Sequence, residues 1–207
     1  MAMSRNPKRT PKAPKLYRVE LDYRFQRRLG LQMENFDALG VGRVLVSPRA
    51  KRSFPPLAET PRLLIDKSLG RPPVDWELFD DFHLVSDRMK RVLEAVDGEG
   101  VAFLRCETRS LNGGPAPVYW LCDVIRMLDV VDEEKSDLRI LEDGTDYRHY
   151  DPMARSSYVF REEAIGSAHI FRLRFLRSNI ICDQAMKDAC RAAGLRGLRF
   201  ENAYGNL

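Results

Sequence analysis

The chain has 207 residues, 44% of them hydrophobic and 31% charged. That is enough apolar surface for a globular core and too much for a disordered chain. No apolar run approaches the ~20 residues that a membrane-spanning helix needs. No apolar segment follows the basic N-terminal residues, so a secretory leader is not expected and the expected location is the cytoplasm.

The net charge of +4 is unevenly spread. Residues 1–75 hold 16 Lys/Arg against 7 Asp/Glu, and residues 76–207 hold 18 against 23. Much of the excess lies in residues 1–15, where Arg5, Lys8, Arg9, Lys12 and Lys15 alternate with prolines. Such a tail cannot pack an element, and its functional alternative is an arm touching phosphates.

Residues 16–75 are expected to add N-terminal strands and a Pro-rich loop packed on the main domain, residues 76–207. Leu16–Leu21 alternates apolar and charged residues, the period of a half-buried strand, and Val41–Val46 reads as another. From 48 to 74 the prolines predict a long loop. His83-Leu84-Val85 predicts a short strand. Ser86 and Asp87 are N-cap residues for a helix from Arg88 to Val96, whose apolar face is Met89, Val92, Leu93 and Val96. Gly98 and Gly100 are expected to end it in a left-handed conformation, and Val101–Leu104 resumes as a strand.

The centre is β-rich. Asn112-Gly113-Gly114 marks a turn. Residues 117–128 are strongly apolar, with Trp120 expected in the core. Residues 143–153 read as a polar loop, and Ser157–Phe160 and His169–Leu173 as strands. Near the C-terminus the earlier order recurs: strand Asn179–Ile181, cap Cys182-Asp183, helix Gln184–Ala193, Gly194 and Gly197, strand Leu198–Phe200. The predicted class is α+β, a mainly antiparallel or mixed sheet with two main helices and two similar strand-helix-strand units.

Three segments carry a likeness to a known family. They are Leu84-Val85-Ser86-Asp87-Arg88-Met89-Lys90 with its helix and Phe103; Tyr119-Trp120-Leu121-Cys122-Asp123-Val124-Ile125 through Ser136; and Ala168–Leu173 with the Cys182-Asp183 helix and Leu198-Arg199-Phe200. In their order and spacing these residues resemble bacterial immunity proteins of polymorphic-toxin systems, a family of Myxococcus type. Asp123 stands where that family more often has asparagine, and Cys182 replaces its usual serine. The likeness runs from about 76 to 200, an immunity-protein-like domain, and the first 75 residues match it poorly. The resemblance implies a protein that binds and neutralises a cognate toxin in the producing cell; it does not imply an active site.

The residues themselves carry little catalytic signal. Cys106, Cys122, Cys182 and Cys190 have no metal or disulfide spacing and are expected as core residues. His83 and His169 are expected as structural residues on strands, and His149 lies in a polar cluster. No nucleophile elbow or phosphate loop is present. No metal or cofactor is expected. Acidic clusters, Asp80-Asp81, Asp132-Glu133-Glu134 and Glu142-Asp143, suit a basic toxin partner. Trp76, Tyr147 and Tyr150 are the expected aromatic anchors. The alternative function is nucleic-acid binding through the basic N-terminal third.

Overall fold

The computed structural model describes residues 15–25, 27–35, 54, 57–79, 82–142 and 148–204. In chain order its elements are β1 (Leu16–Leu21), β2 (Leu31–Met33), β3 (Arg62–Ile65), β4 (Trp76–Phe79), β5 (Phe82–Ser86), α1 (Asp87–Asp97), β6 (Val101–Arg105), β7 (Glu107–Ser110), β8 (Tyr119–Val124), β9 (Met127–Leu128), β10 (Ile140–Glu142), β11 (Arg148–Tyr150), α2 (Glu162–Ile165), β12 (Ile170–Leu173), β13 (Leu176–Asp183), α3 (Gln184–Ala192) and β14 (Leu198–Asn202). Strands dominate an α+β fold, and the predicted class holds.

Two sheets share one topology. The first runs β4-β5-β8-β6 and the second β9-β12-β13-β1-β14. In the first, β5 and β6 both lie antiparallel to β8. In the second, β13 and β14 both lie antiparallel to β1. Each main helix therefore joins two parallel strands by crossing over a third that fills the gap between them. The filling strand follows its unit in one case (β8) and is the first described strand in the other (β1). A smaller sheet, β2-β3-β7, and a hairpin, β10-β11, complete the described fold.

The likeness extends to single residues. Ser86 pairs with Tyr119 at the start of β8, and Asp183 with Leu16 at the start of β1. Both are N-caps: Ser86 Oγ accepts from the Met89 amide at 3.2 Å and Asp183 Oδ1 from the Met186 amide at 3.0 Å. Each satisfies one of the amides that a first helical turn leaves without a partner. Asp183, rather than Cys182, is thus the equivalent of Ser86. One residue into the filling strand stands an aromatic ring, Trp120 or Tyr17. Trp120 Nε1 donates to Asp87 at 3.2 Å and Tyr17 Oη to Gln184 at 2.5 Å. Lys90 Nζ lies 4.6 Å from the Trp120 ring centre, and Lys187 Nζ 3.3 Å from that of Tyr17. Trp120, expected inside, is half-buried against this core.

The helices form because their apolar residues fall on one face, and that face is buried between the units. Met89 and Leu93 of α1 and Met186 and Cys190 of α3 enter one core with Trp76, Val85, Val124, Ile170 and Cys182. Leu93 is wholly buried, and its truncation to alanine would cost about 2–5 kcal/mol. A second core gathers Tyr150, Tyr158, Phe160, Phe171 and Ile181, and a third Leu31, Leu63, Leu84 and Leu121.

Several expectations are corrected. Gly98 has φ −61° and α1 runs into a 3-10 turn over Gly98–Gly100 instead of a left-handed stop, whereas Gly194 does take φ +62° after α3. The Pro-rich stretch contains β3, whose Arg62-Leu63-Leu64-Ile65 run pairs with β2 and β7; prolines flank this apolar run without entering it. The polar stretch after residue 147 contains β11, paired with β10. Ser157 and Phe160 make only isolated bridges, to Asp137 and Val131, in place of a strand. The predicted strand Val41–Val46 and the basic tail through residue 14 lie outside the described residues.

Candidate functional site

Two of the expected anchors are core residues. Trp76 is 1% exposed in the core shared by the units, with its ring 4.6 Å from that of His83. Tyr150 is 1% exposed, packs edge-on against Phe175, and donates to Glu133 at 2.7 Å. Burial withdraws both rings from any partner. An aromatic residue beside charged ones in sequence reads as an exposed anchor, but strand pairing turns these two inward. Asp80, Asp81, Asp143 and Tyr147 lie outside the described residues.

The acidic cluster is brought together but is already matched by bases. Arg148 grips Glu133 with two hydrogen bonds, 2.8 and 2.6 Å, and reaches Glu142 at 2.9 Å. The Arg148 hydrogen bonds, against some desolvation and with help from Tyr150, hold the Glu133 carboxyl below its ordinary range. Asp132 is paired with Lys135 at 2.7 Å. Glu134 is exposed. The expected open acidic face is thus largely an internal ion-pair network.

The structure assembles a different face, built where β1 ends. Asp22 N donates to Gly197 O at 2.9 Å, and a 3-10 turn follows over Tyr23–Phe25. The Asp22 carboxylate is buried and takes the Arg24 amide at 3.0 Å and its guanidinium at 2.6 Å. These contacts, the guanidinium first, lower its pKa despite burial. The turn presents Tyr23, 62% exposed, with the Arg199 guanidinium 5.2 Å from its ring centre. Phe25 carries Arg196 at 4.9 Å and Arg71 at 5.7 Å.

Three adjoining cavities of about 390, 320 and 230 Å³ open along this face. Their lining includes five exposed arginines: Arg24, Arg27, Arg191, Arg196 and Arg199. Among the described residues the only carboxylates in it are Asp22 and Glu77, both buried and held by Arg24 and Arg71. Stacked arginine and exposed tyrosine are the residue types that dominate protein–protein contact energies. The signal was present as Tyr23-Arg24-Phe25-Gln26-Arg27-Arg28, but its companions on α3 and β14 join it only through the β1–β14 pairing.

A further cavity, about 770 Å³, lies between residues 57–60 and the β6–β7 corner. Cys106 lines it, yet the residue is 3% exposed and burial pushes its thiol up to about 12, which keeps it protonated. Burial also raises the thiols of Cys122, Cys182 and Cys190. His169 is bound to the α3 cap, Nδ1 to Asp183 Oδ2, at 2.8 Å. Among the described residues no three of His, Cys, Asp and Glu converge to hold a metal ion, and no helix is long and apolar enough to cross a membrane.

No curated protein matches the chain. The family model described as Immunity protein family (Imm11) matches residues 15–205. The match begins at β1, so the poor likeness expected for the first 75 residues is corrected: β1 is the central strand of one of the two units. With almost the whole described fold inside the match, the chain belongs to the Imm11 immunity protein family.

Proposed function

We propose that this chain neutralises a toxin made by its own cell, by binding the toxin domain in a stoichiometric complex in the cytoplasm. The observation that carries this is the family match over residues 15–205. A binding role without catalysis agrees with the side chains: the thiols are buried and protonated, and His83 and His169 are engaged in packing and capping. A cytoplasmic binder meets a toxin whose target lies in the same compartment.

The test is co-purification with the toxin domain encoded beside this chain. The expected result is one species holding one copy of each, by size exclusion with light scattering. Two separate species, each folded, would overturn the assignment for that pair.

A further inference from the structure

The two units supply an internal comparison for the arginine face. Counted from their caps, Glu94 and Arg191 are equivalent, as are Glu99 and Arg196. All four are exposed. The same scaffold therefore accepts glutamate at these positions in one unit and arginine in the other, so the fold does not require the basic charge. A helix C-terminus favours one cation at Arg191, Arg24 pairs with Asp22 at 2.6 Å and Arg199 with Glu201 at 2.6 Å, and that leaves Arg27 and Arg196 unaccounted for. Among the described residues Arg27, Arg191 and Arg196 have no carboxylate within ion-pair distance, while ten of the sixteen described arginines outside this face do.

We infer that this face, from Tyr23 and Arg24 across Arg191 to Arg196 and Arg199, is the surface that contacts the toxin, and that it docks on an acidic face of the toxin domain. The inference rests on the proposed immunity function and names the surface and the partner's charge. Complementary charge accelerates encounter and selects against wrong partners. Exposed Tyr23, braced by Arg199, supplies the aromatic contact that charge alone lacks. The polarity is the reverse of a basic toxin meeting acidic clusters.

The experiment titrates the full chain against the toxin domain encoded beside it, by calorimetry at low and high salt. Arg191→Glu with Arg196→Glu gives the second unit the charges that the first carries. The control is Glu94→Arg with Glu99→Arg. The expected result is a loss of at least about 30-fold for the arginine double variant, weakening of wild-type binding by salt, and a change within about threefold for the control. Thermal melting checks that each variant is folded. Wild-type affinity in the arginine variant would overturn the face and leave the immunity function standing. Failure of the wild-type chain to bind the toxin would overturn the function and the face with it. Binding of a mixed-sequence DNA duplex through the same arginines, with no toxin binding, would make it a nucleic-acid surface and overturn both.

Discussion

Trp76 and Ile170 hold equivalent places in the two units, and each lies against the glycine that follows the other unit's helix. Trp76 pairs with Val85 and Ile170 with Cys182, one residue before the respective caps. A Cβ on Gly197 would lie 2.3 Å from Trp76 O, and one on Gly100 would lie 3.0 Å from Ile170 O. The carboxylates beside them both belong to the first unit and both accept from the second. Asp75 accepts the Arg196 amide at 2.9 Å, and Asp97 accepts the His169 and Ile170 amides at 2.8 and 3.1 Å. The units interlock through these contacts, with α1 packed against α3.

This close approach makes the two glycines unequal in a measurable way. Gly197 has φ +97° as well as the 2.3 Å overlap with backbone, so Gly197→Ala is expected to lose about 3 kcal/mol or more. Gly100→Ala meets Ile170 and the end of the flexible Arg126 side chain at 3.0 Å and should lose about 1–2 kcal/mol. Urea unfolding of both variants measures the difference.

A buried ion pair ties the sheets together. Arg172 on β12 and Asp123 on β8 are 4% and 2% exposed, and Arg172 Nη2 reaches Asp123 at 3.2 Å. The same guanidinium donates to Val124 O at 3.0 Å and Arg177 O at 2.7 Å. Arg172→Leu leaves Asp123 buried without its guanidinium and should destabilise by about 3–5 kcal/mol. Asp123→Asn, a residue of similar shape, is expected to cost less than half as much, read by the same unfolding titration.

The cysteines give a prediction in chemistry. All four are buried, with Cys106 and Cys190 pushed up to about 12 by desolvation. Only a thiolate attacks the disulfide of an exchange reagent and releases its thiolate. The native chain should therefore release almost no signal with Ellman's reagent over minutes at neutral pH, and all four thiols should react at once in guanidinium. Rapid reaction of a native thiol would mean that one of these core positions opens.

Acid should loosen the contact between the units. Burial raises the Asp97 pKa, but Arg126 and the His169 and Ile170 amides outweigh it and leave the carboxyl below its ordinary value. A lowered native pKa means stability fully present above the unfolded value of about 3.9 and lost as pH falls through the native one. Asp97→Asn should cost about 2–4 kcal/mol near neutrality. It should also flatten the fall in stability below about pH 4, because the titrating group is gone. An identical acid slope in the variant would remove Asp97 from this account.

The parts of the fold that were legible in sequence are those with local periodicity. Met89, Leu93 and their neighbours repeat at helical spacing, and Leu16–Leu21 alternates, so α1, α3 and β1 could be placed from their own residues. What sequence did not show depends on distant pairing. β1 fills the gap between β13 and β14, and no local signal assigns it there. The short strands β3 and β11 are held by neighbours rather than by propensity. Trp76 and Tyr150 were expected as aromatic anchors, yet both are buried in the cores. The arginine face failed to appear for the same reason: Tyr23 and Arg199 meet only when β14 is laid beside β1.

Under the proposed function this chain protects a cell from its partner toxin. The direct measurement is growth of a sensitive host expressing the neighbouring toxin domain, with and without this chain. Death is expected with the toxin domain alone, and normal growth when the intact chain is present. Death with both proteins folded and detectable in the cell would contradict it.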